Sequence, residues 1–221
     1  MLNHAQARAV YDRFGSKQDQ QAFYEAAAFA NLLRHARLEE ARRVFEFGCG
    51  TGSFAATLLN NELSPDSLYM GMDQSTTMVQ LAGRRLEPLG SRATVLLSGG
   101  PVNILAADGS IDRLFANYVL DLLSEADIRL FMAEARRVLQ PDGLLCLISL
   151  TYGDTPFSRL VMWGWQQLYA INPARLGGCR PIQVAHFLEP DQWQLRHRQV
   201  ITSWGLASEI VVAAPQQAMW G

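Results

Sequence analysis

The amino-acid sequence predicts an α/β protein: a doubly wound, seven-stranded sheet, mostly parallel, with helices on both faces and a C-terminal antiparallel hairpin. Three observations carry this. Short apolar runs alternate with stretches of helical period, the rhythm of parallel strands joined by crossover helices. One run, Val44-Phe45-Glu46-Phe47, leads straight into Gly48-Cys49-Gly50-Thr51-Gly52, an apolar segment with one acid followed by glycines at alternate positions. Near the end, Arg198–Trp204 and Ala207–Ala213 both read as strands, and the link Gly205-Leu206 is short enough to favour a hairpin.

Taken in order, residues 19–41 read as a helix, with Phe23, Ala26, Ala27, Ala30 and Leu33 near helical spacing. Residues 43–47 are the first strand and 53–61 its helix, stopped near Pro65. Leu68–Met72 is a second strand ending at Asp73. Ser75 caps a helix over 76–89, closed by Gly90. Residues 93–97 form a third strand, 98–110 are irregular, and 111–117 form a fourth. Ser124 caps a helix to Leu139, and Pro141-Asp142-Gly143 breaks the chain before Leu144–Leu150. That last run is apolar at nearly every position, as suits a central strand buried on both faces. Pro156–Ala170 reads as a helix carrying Trp163, Trp165 and Tyr169.

The 221 residues suffice for one well-cored domain and are few for two. Within it, residues 1–41 read as a helical lid, 42–151 as the binding core, and 152–221 as an acceptor-side helix, loop and hairpin. A net charge of −2 gives neither a basic footprint for nucleic acid nor a polybasic patch for anionic membranes. No run approaches the roughly 20 apolar residues of a membrane span. The start of the chain lacks the order of a signal peptide. Cys49, Cys146 and Cys179 are scattered, which argues against a zinc site and suits a reducing compartment. The expectation is a cytoplasmic protein without a metal, for which a homodimer is admissible.

Glycines after a strand let a nucleoside lie against the main chain. The dinucleotide fingerprint G-x-G-x-x-G would need glycine at position 53, where the chain has Ser53. Glu46, just before the loop, would repel a pyrophosphate but favour a cationic ligand. With this acid, E-x-G-x-G-x-G over residues 46–52 resembles the class I S-adenosylmethionine-dependent methyltransferases, whose fold is Rossmann-like. Gly71-Met72-Asp73-Gln74-Ser75 resembles the G-x-D-x-S of the ubiquinone/menaquinone C-methyltransferase-like, small-molecule branch. Asp108–Asp112 and Leu139–Gly143 resemble two further segments of that branch, with Asp142 replacing a glycine.

The resemblance implies S-adenosyl-L-methionine as cofactor and S-adenosyl-L-homocysteine as product. It implies cofactor contacts from Glu46, Phe47, Gly48, Cys49, Gly50 and Gly52, and from Asp73, at the family's ribose-binding position, with Gln74 beside it. Asn117 and Tyr118 occupy positions that usually face the methionine part. Met78 is either an apolar wall for adenine or plain core. The family's acid after strand three is missing from Ser98-Gly99-Gly100-Pro101, so adenine contacts fall to Ser98, Gly99 and Gly100 or their backbone. Tyr11 in the lid is the candidate for the methionine carboxylate or sulfonium, with Tyr24 behind it on the acceptor side.

Methyl transfer to a good sulfonium leaving group needs mainly positioning, plus a base where the nucleophile carries a proton. Catalytic candidates are Tyr118 and Asp121, the latter either orienting or deprotonating the acceptor or serving as a helix-start carboxylate. Acceptor contacts are expected from Tyr24, Tyr152, Trp163 and Arg180, in surroundings that suit an apolar or aromatic small molecule methylated at oxygen, nitrogen or carbon. Arg180 reads equally as a surface ion-pair partner, and the tryptophans as helix-to-sheet packing. Three other functions compete: methylation of a lipid or quinone at the bilayer surface, nicotinamide-dependent oxidoreduction, and non-catalytic cofactor binding.

Overall fold

The computed structural model describes residues 3–15, 18, 22–100 and 102–216, with the side chains of Phe14, Ala22 and Phe23 left aside. The packing expected of Phe23 and the position of Pro101 therefore lie outside the described residues.

Seven strands form one sheet in the order β3-β2-β1-β4-β5-β7-β6. They are β1 Arg43–Phe47, β2 Leu68–Asp73, β3 Ala93–Leu97, β4 Ile111–Asn117, β5 Leu139–Leu150, β6 Trp193–Ser203 and β7 Leu206–Pro215. The first five run parallel, and β7 is antiparallel to both β5 and β6. This is the expected mostly parallel sheet with a late hairpin. The helices are α1 His4–Phe14, α2 Ala22–His35, α3 Ser53–Thr57, α4 Thr76–Leu86, α5 Glu125–Val138 and α6 Pro156–Ile171.

The strand period of two divides the core between the two faces. Phe45, Leu114, Leu145, Leu147 and Val211 point to the layer that holds Ile128, Phe131 and Ala135 of α5. Val44, Phe115, Cys146, Ile148 and Val212 point to the layer that holds Ala28 and Leu32 of α2 and Ala55 of α3. At roughly 1.5–3 kcal/mol per fully buried large apolar side chain, these two layers dominate the stabilisation.

Several boundaries differ from the sequence expectation; α3 and α4 end four and three residues early, and the larger differences have clear causes. The helix read over 19–41 is α2 Ala22–His35 followed by a turn at Leu38–Glu40, because Arg37 turns left-handed at φ 49°. The buried Arg113 guanidinium donates to the carbonyls of Ala36 (2.6 Å) and Arg37 (2.8 Å), satisfying acceptors where the helix has ended. The strand read over 144–150 starts five residues earlier. Leu139 pairs with Ile111, and the Pro141-Asp142-Gly143 segment is absorbed as a register shift rather than a break. The hairpin strands are also longer than read, 11 and 10 residues. Trp204 and Gly205, both at positive φ, make their turn.

The helical lid read over 1–41 holds a helix ahead of α2 whose bounds the sequence reading did not give. α1 begins with a reciprocal capping box between Asn3 and Gln6 and ends at Gly15. Asp12 accepts from Ser75 Oγ (2.5 Å) and Thr77 N (3.3 Å), so its carboxylate sits at the N-terminus of α4. The Ser75 hydrogen bond is the main reason its pKa lies below the usual range. His4 lies 3.4 Å from Asp127 at the start of α5. α1 is thereby pinned between α4 and α5, beyond the carboxyl ends of the strands.

Candidate active site

The loop after β1 is held by backbone. The amides of Gly48 and Cys49 both donate to Met72 O, at 2.8 and 3.0 Å, and Gly50 N donates to Asp73 Oδ2 at 2.9 Å. Gly48, Gly50 and Gly52 all have positive φ, 77°, 51° and 74°. A Cβ at Gly48 would also sit 2.7 Å from Val119 Cγ2, so the glycine is required by both torsion and space.

Asp73 closes β2. Its second oxygen accepts from Ser75 N at 2.8 Å. Burial raises its pKa, and the Ser75, Gly50 and Gln74 amides work against that rise. Glu46 is 2% exposed. It accepts from Tyr69 Oη at 2.6 Å and Asn117 Nδ2 at 3.3 Å. Burial pushes its pKa up to about 7 in spite of those two hydrogen bonds. Asn117 Oδ1 is buried and accepts no hydrogen bond, an orphan acceptor at the centre of the site.

Two adjoining cavities share Tyr11, Gln18, Gly48, Asn117 and Tyr118 as a common wall. The first has about 660 Å³ of non-atom space, open mouth included, and runs past Phe47, Asp73, Gln74, Ser98, Gly100 and Val102. The second has about 1150 Å³, counted the same way. It runs past Glu46, Cys49 and Gly50 toward Tyr24, Phe29 and Phe54. Among the described residues lining the two, no lysine or arginine appears; the carboxylates are Asp73, Glu46 and Glu25.

Tyr118 divides the cavities. It adopts φ 54°, which is uncommon for a residue with a large side chain. Its ring meets Tyr24 and Phe29 edge to face, at 5.9 and 6.1 Å between centroids. Its hydroxyl lies 2.8 Å from Ser208 Oγ on β7. Burial pushes its pKa up, so the phenol stays neutral and can position a partner but not serve as a base near neutral pH. Tyr11 reaches both cavities from α1, with its hydroxyl 3.9 Å from Cys179 Sγ.

Several expected residues stand elsewhere. Asp121 is fully buried and lines neither cavity. Its Oδ2 accepts from Leu150 N at 3.1 Å and its carbonyl accepts from Arg180 N, tying the turn after β4 to the end of β5. Burial raises its pKa to about 7. The Arg180 guanidinium donates to Leu123 O at 2.7 Å, so it braces that same turn. Tyr152, in the loop between β5 and α6, is exposed and reaches neither cavity. Trp163 is also exposed and reaches neither, because the side of α6 that packs inward carries Ser158, Met162 and Trp165 instead. Met78 is buried in the core beneath the Ser75 cap, and Gly99 is exposed beside Gly100. Gly52 caps α3 behind the loop.

Lining residues the sequence reading missed include His4, Gln18, Phe29 and Leu122. The capping pair Asn3 and Gln6 was the one local signal that could have announced α1 and with it His4.

A methyltransferase domain model matches residues 44–143. The malonyl-[acyl-carrier protein] O-methyltransferase of Erwinia pyrifoliae is 29% identical over 181 residues, 82% of this chain and 64% of that protein. The trans-aconitate 2-methyltransferase of an Azoarcus species is 28% identical over 196 residues, 83% of this chain and 72% of that protein. Among solved structures, the geranyl diphosphate C-methyltransferase of Streptomyces coelicolor, in complex with S-adenosyl-L-homocysteine, superposes with a TM-score of 0.66. It is 12% identical and covers 87% of this chain and 76% of that one, a likeness of fold.

Proposed function

Because the chain belongs to the class I S-adenosylmethionine-dependent methyltransferases, we propose that it transfers the methyl group of S-adenosylmethionine to a small acceptor held in the second cavity. The observation that carries this is the shared wall. One cavity offers Asp73 and Gln74 to a ribose, the other is open and aromatic, and Gly48, Asn117 and Tyr118 face both.

The residues fit the cofactor. Asp73 is the acceptor for ribose hydroxyls. Glu46 and the orphan Asn117 Oδ1 form an anionic, hydrogen-bond-accepting corner for the cationic methionine end. Met72, Val102, Leu122 and Leu123 supply apolar walls for an adenine, with Ser98 and Gly100 at its edge. The bound cofactor supplies an electrophilic methyl on a sulfonium leaving group. The protein then has to orient the acceptor and keep water out. Tyr118 orients, fixed by its backbone, its two aromatic neighbours and Ser208. α1 covers, held by Asp12 and His4.

The acceptor is a neutral, apolar or aromatic metabolite methylated at oxygen, nitrogen or carbon. Two relatives are named for malonyl-carrier and trans-aconitate substrates. The second cavity, however, presents the buried Glu46 beside an aromatic wall of Tyr24, Phe29, Phe54 and Tyr118, surroundings that suit an apolar or aromatic guest. The test is methyl-labelled S-adenosylmethionine with a panel of phenols, amines, quinones and dicarboxylic acids. Transfer to a neutral aromatic is expected; transfer only to the dicarboxylic acids would refute this acceptor class.

A further inference from the structure

α6 is apolar on two sides. Ser158, Met162 and Trp165 face the protein, with Trp165 Nε1 donating to Cys179 O at 2.9 Å. A second stripe faces outward: Phe157 is 65% exposed, Leu160 63%, Leu168 52% and Ile171 80%. A helix with apolar residues on both sides is normally covered on both.

The outward stripe is symmetric about Gly164. Phe157 and Ile171 lie seven residues on either side of it, and Leu160 and Leu168 lie four. At 100° per residue these positions fall within one narrow arc. Among the described residues nothing lies within 4 Å of a Cβ built at Gly164, so the middle of the stripe is open to close approach. Arg159 is the only charged residue in α6, so two antiparallel copies would oppose no like charges. A second feature adjoins the stripe. The hairpin turn packs on its N-terminal end, where a Cβ at Gly205 would meet Phe157 and Val161. There Trp204 is held at φ 54° and is 80% exposed. The two-residue turn accounts for that backbone, and the exposed indole it carries extends the apolar surface beside the stripe.

At these fractions Phe157, Leu160, Leu168, Ile171 and Trp204 expose on the order of 700 Å², against roughly 300–600 Å² for the largest apolar patch of an ordinary monomer. A standard interface needs about 800 Å² per partner.

We propose that a second copy of this chain covers the patch, α6 packing antiparallel on α6 across a two-fold axis at Gly164. Phe157 then meets Ile171 of the partner subunit, and Leu160 meets Leu168 of the partner subunit, the self-complementary pattern a closed dimer requires. This assembly does not depend on the methyl-transfer reading.

Sedimentation equilibrium and cysteine cross-linking test it. The wild-type chain is expected to be a dimer. Leu160→Glu should weaken association by roughly tenfold or more, with unchanged circular dichroism. Adding Leu168→Lys to Leu160→Glu should restore the dimer, because the two changes meet across the axis. Gly164→Cys should cross-link to itself, while Phe157→Cys should not, since its two copies lie about 21 Å apart along the helices. A wild-type monomer at the highest soluble concentration would overturn the proposal. So would a dimer indifferent to Leu160→Glu, or self-cross-linking at Phe157→Cys. A monomer that floats with phosphatidylcholine/phosphatidylglycerol vesicles would also overturn it, and would assign the patch to a bilayer.

Discussion

Replacing Glu46 by glutamine separates what the site needs from what the fold tolerates. The carboxyl is fully buried and its pKa moves from 4.5 to about 7. That shift makes ionisation within the fold cost up to about 3 kcal/mol. The sign follows from linkage: a folded-state pKa above the unfolded one means that stability is full below about 4.5 and is lost as pH rises through about 7. Glutamine carries no such penalty. It keeps one of the two hydrogen bonds from Tyr69 and Asn117 and loses the other, about 0.5–1.5 kcal/mol. At pH 8, Glu46→Gln should therefore be more stable than wild type by about 1–2 kcal/mol, or roughly 2–8 °C in Tm for a chain of this size. At pH 4.5 the gain should vanish or reverse. S-adenosylmethionine affinity should move the other way and fall roughly 10–100-fold, the loss of one charge-assisted contact. Between pH 8 and 6 wild-type affinity should drop about tenfold relative to the variant, as the competent ionised fraction shrinks. Differential scanning calorimetry across pH and titration of both proteins read these effects. A variant equally destabilised at pH 4.5 and pH 8 would refute the claim that the buried charge is held against the fold's own preference.

Three further outcomes follow from the geometry. Asp73→Ala should lower cofactor affinity by on the order of 100-fold in calorimetric titration, since it removes the ribose acceptor and the anchor of the Gly50 amide. Asp121→Ala should cost about 1–3 kcal/mol in urea unfolding by orphaning the Leu150 amide, while turnover per folded molecule stays within a few-fold of wild type. A complete loss of turnover with stability intact would return Asp121 to the chemistry. Tyr152→Ala should change stability by less than about 0.5 kcal/mol and leave acceptor KM unchanged, because the ring is exposed and away from both cavities.

The parts of this molecule legible in the sequence are those written in local pattern. The strand periods, the serine caps at Ser75 and Ser124, and the alternate glycines with Glu46 all act over a few residues. They set the sheet, its order of elements and the loop. The acceptor side was not legible in the same way. Trp163 reads as a cavity wall from its type, but which face of α6 turns inward depends on how its loop and hairpin pack. Tyr152 reads as one from its place after β5, but the loop there turns the ring to solvent. Asp121 was read as a candidate from polarity in an apolar segment, and the same isolation is explained by a buried tie to a β5 amide nearly 30 positions away. Tyr118 and Cys179 come to one cavity from separate parts of the chain. No sequence period encodes that meeting, and Ser208 beneath Tyr118 was invisible for the same reason.

The proposed function requires a loop that accepts a cationic sulfonium nucleoside and not a dinucleotide. Isothermal titration of the wild-type chain with S-adenosylmethionine, S-adenosylhomocysteine and NAD tests it most directly. The two sulfur nucleosides are predicted to bind at one site per chain, in competition with each other, with no detectable heat from NAD. Saturable NAD binding with neither sulfur nucleoside bound would contradict it.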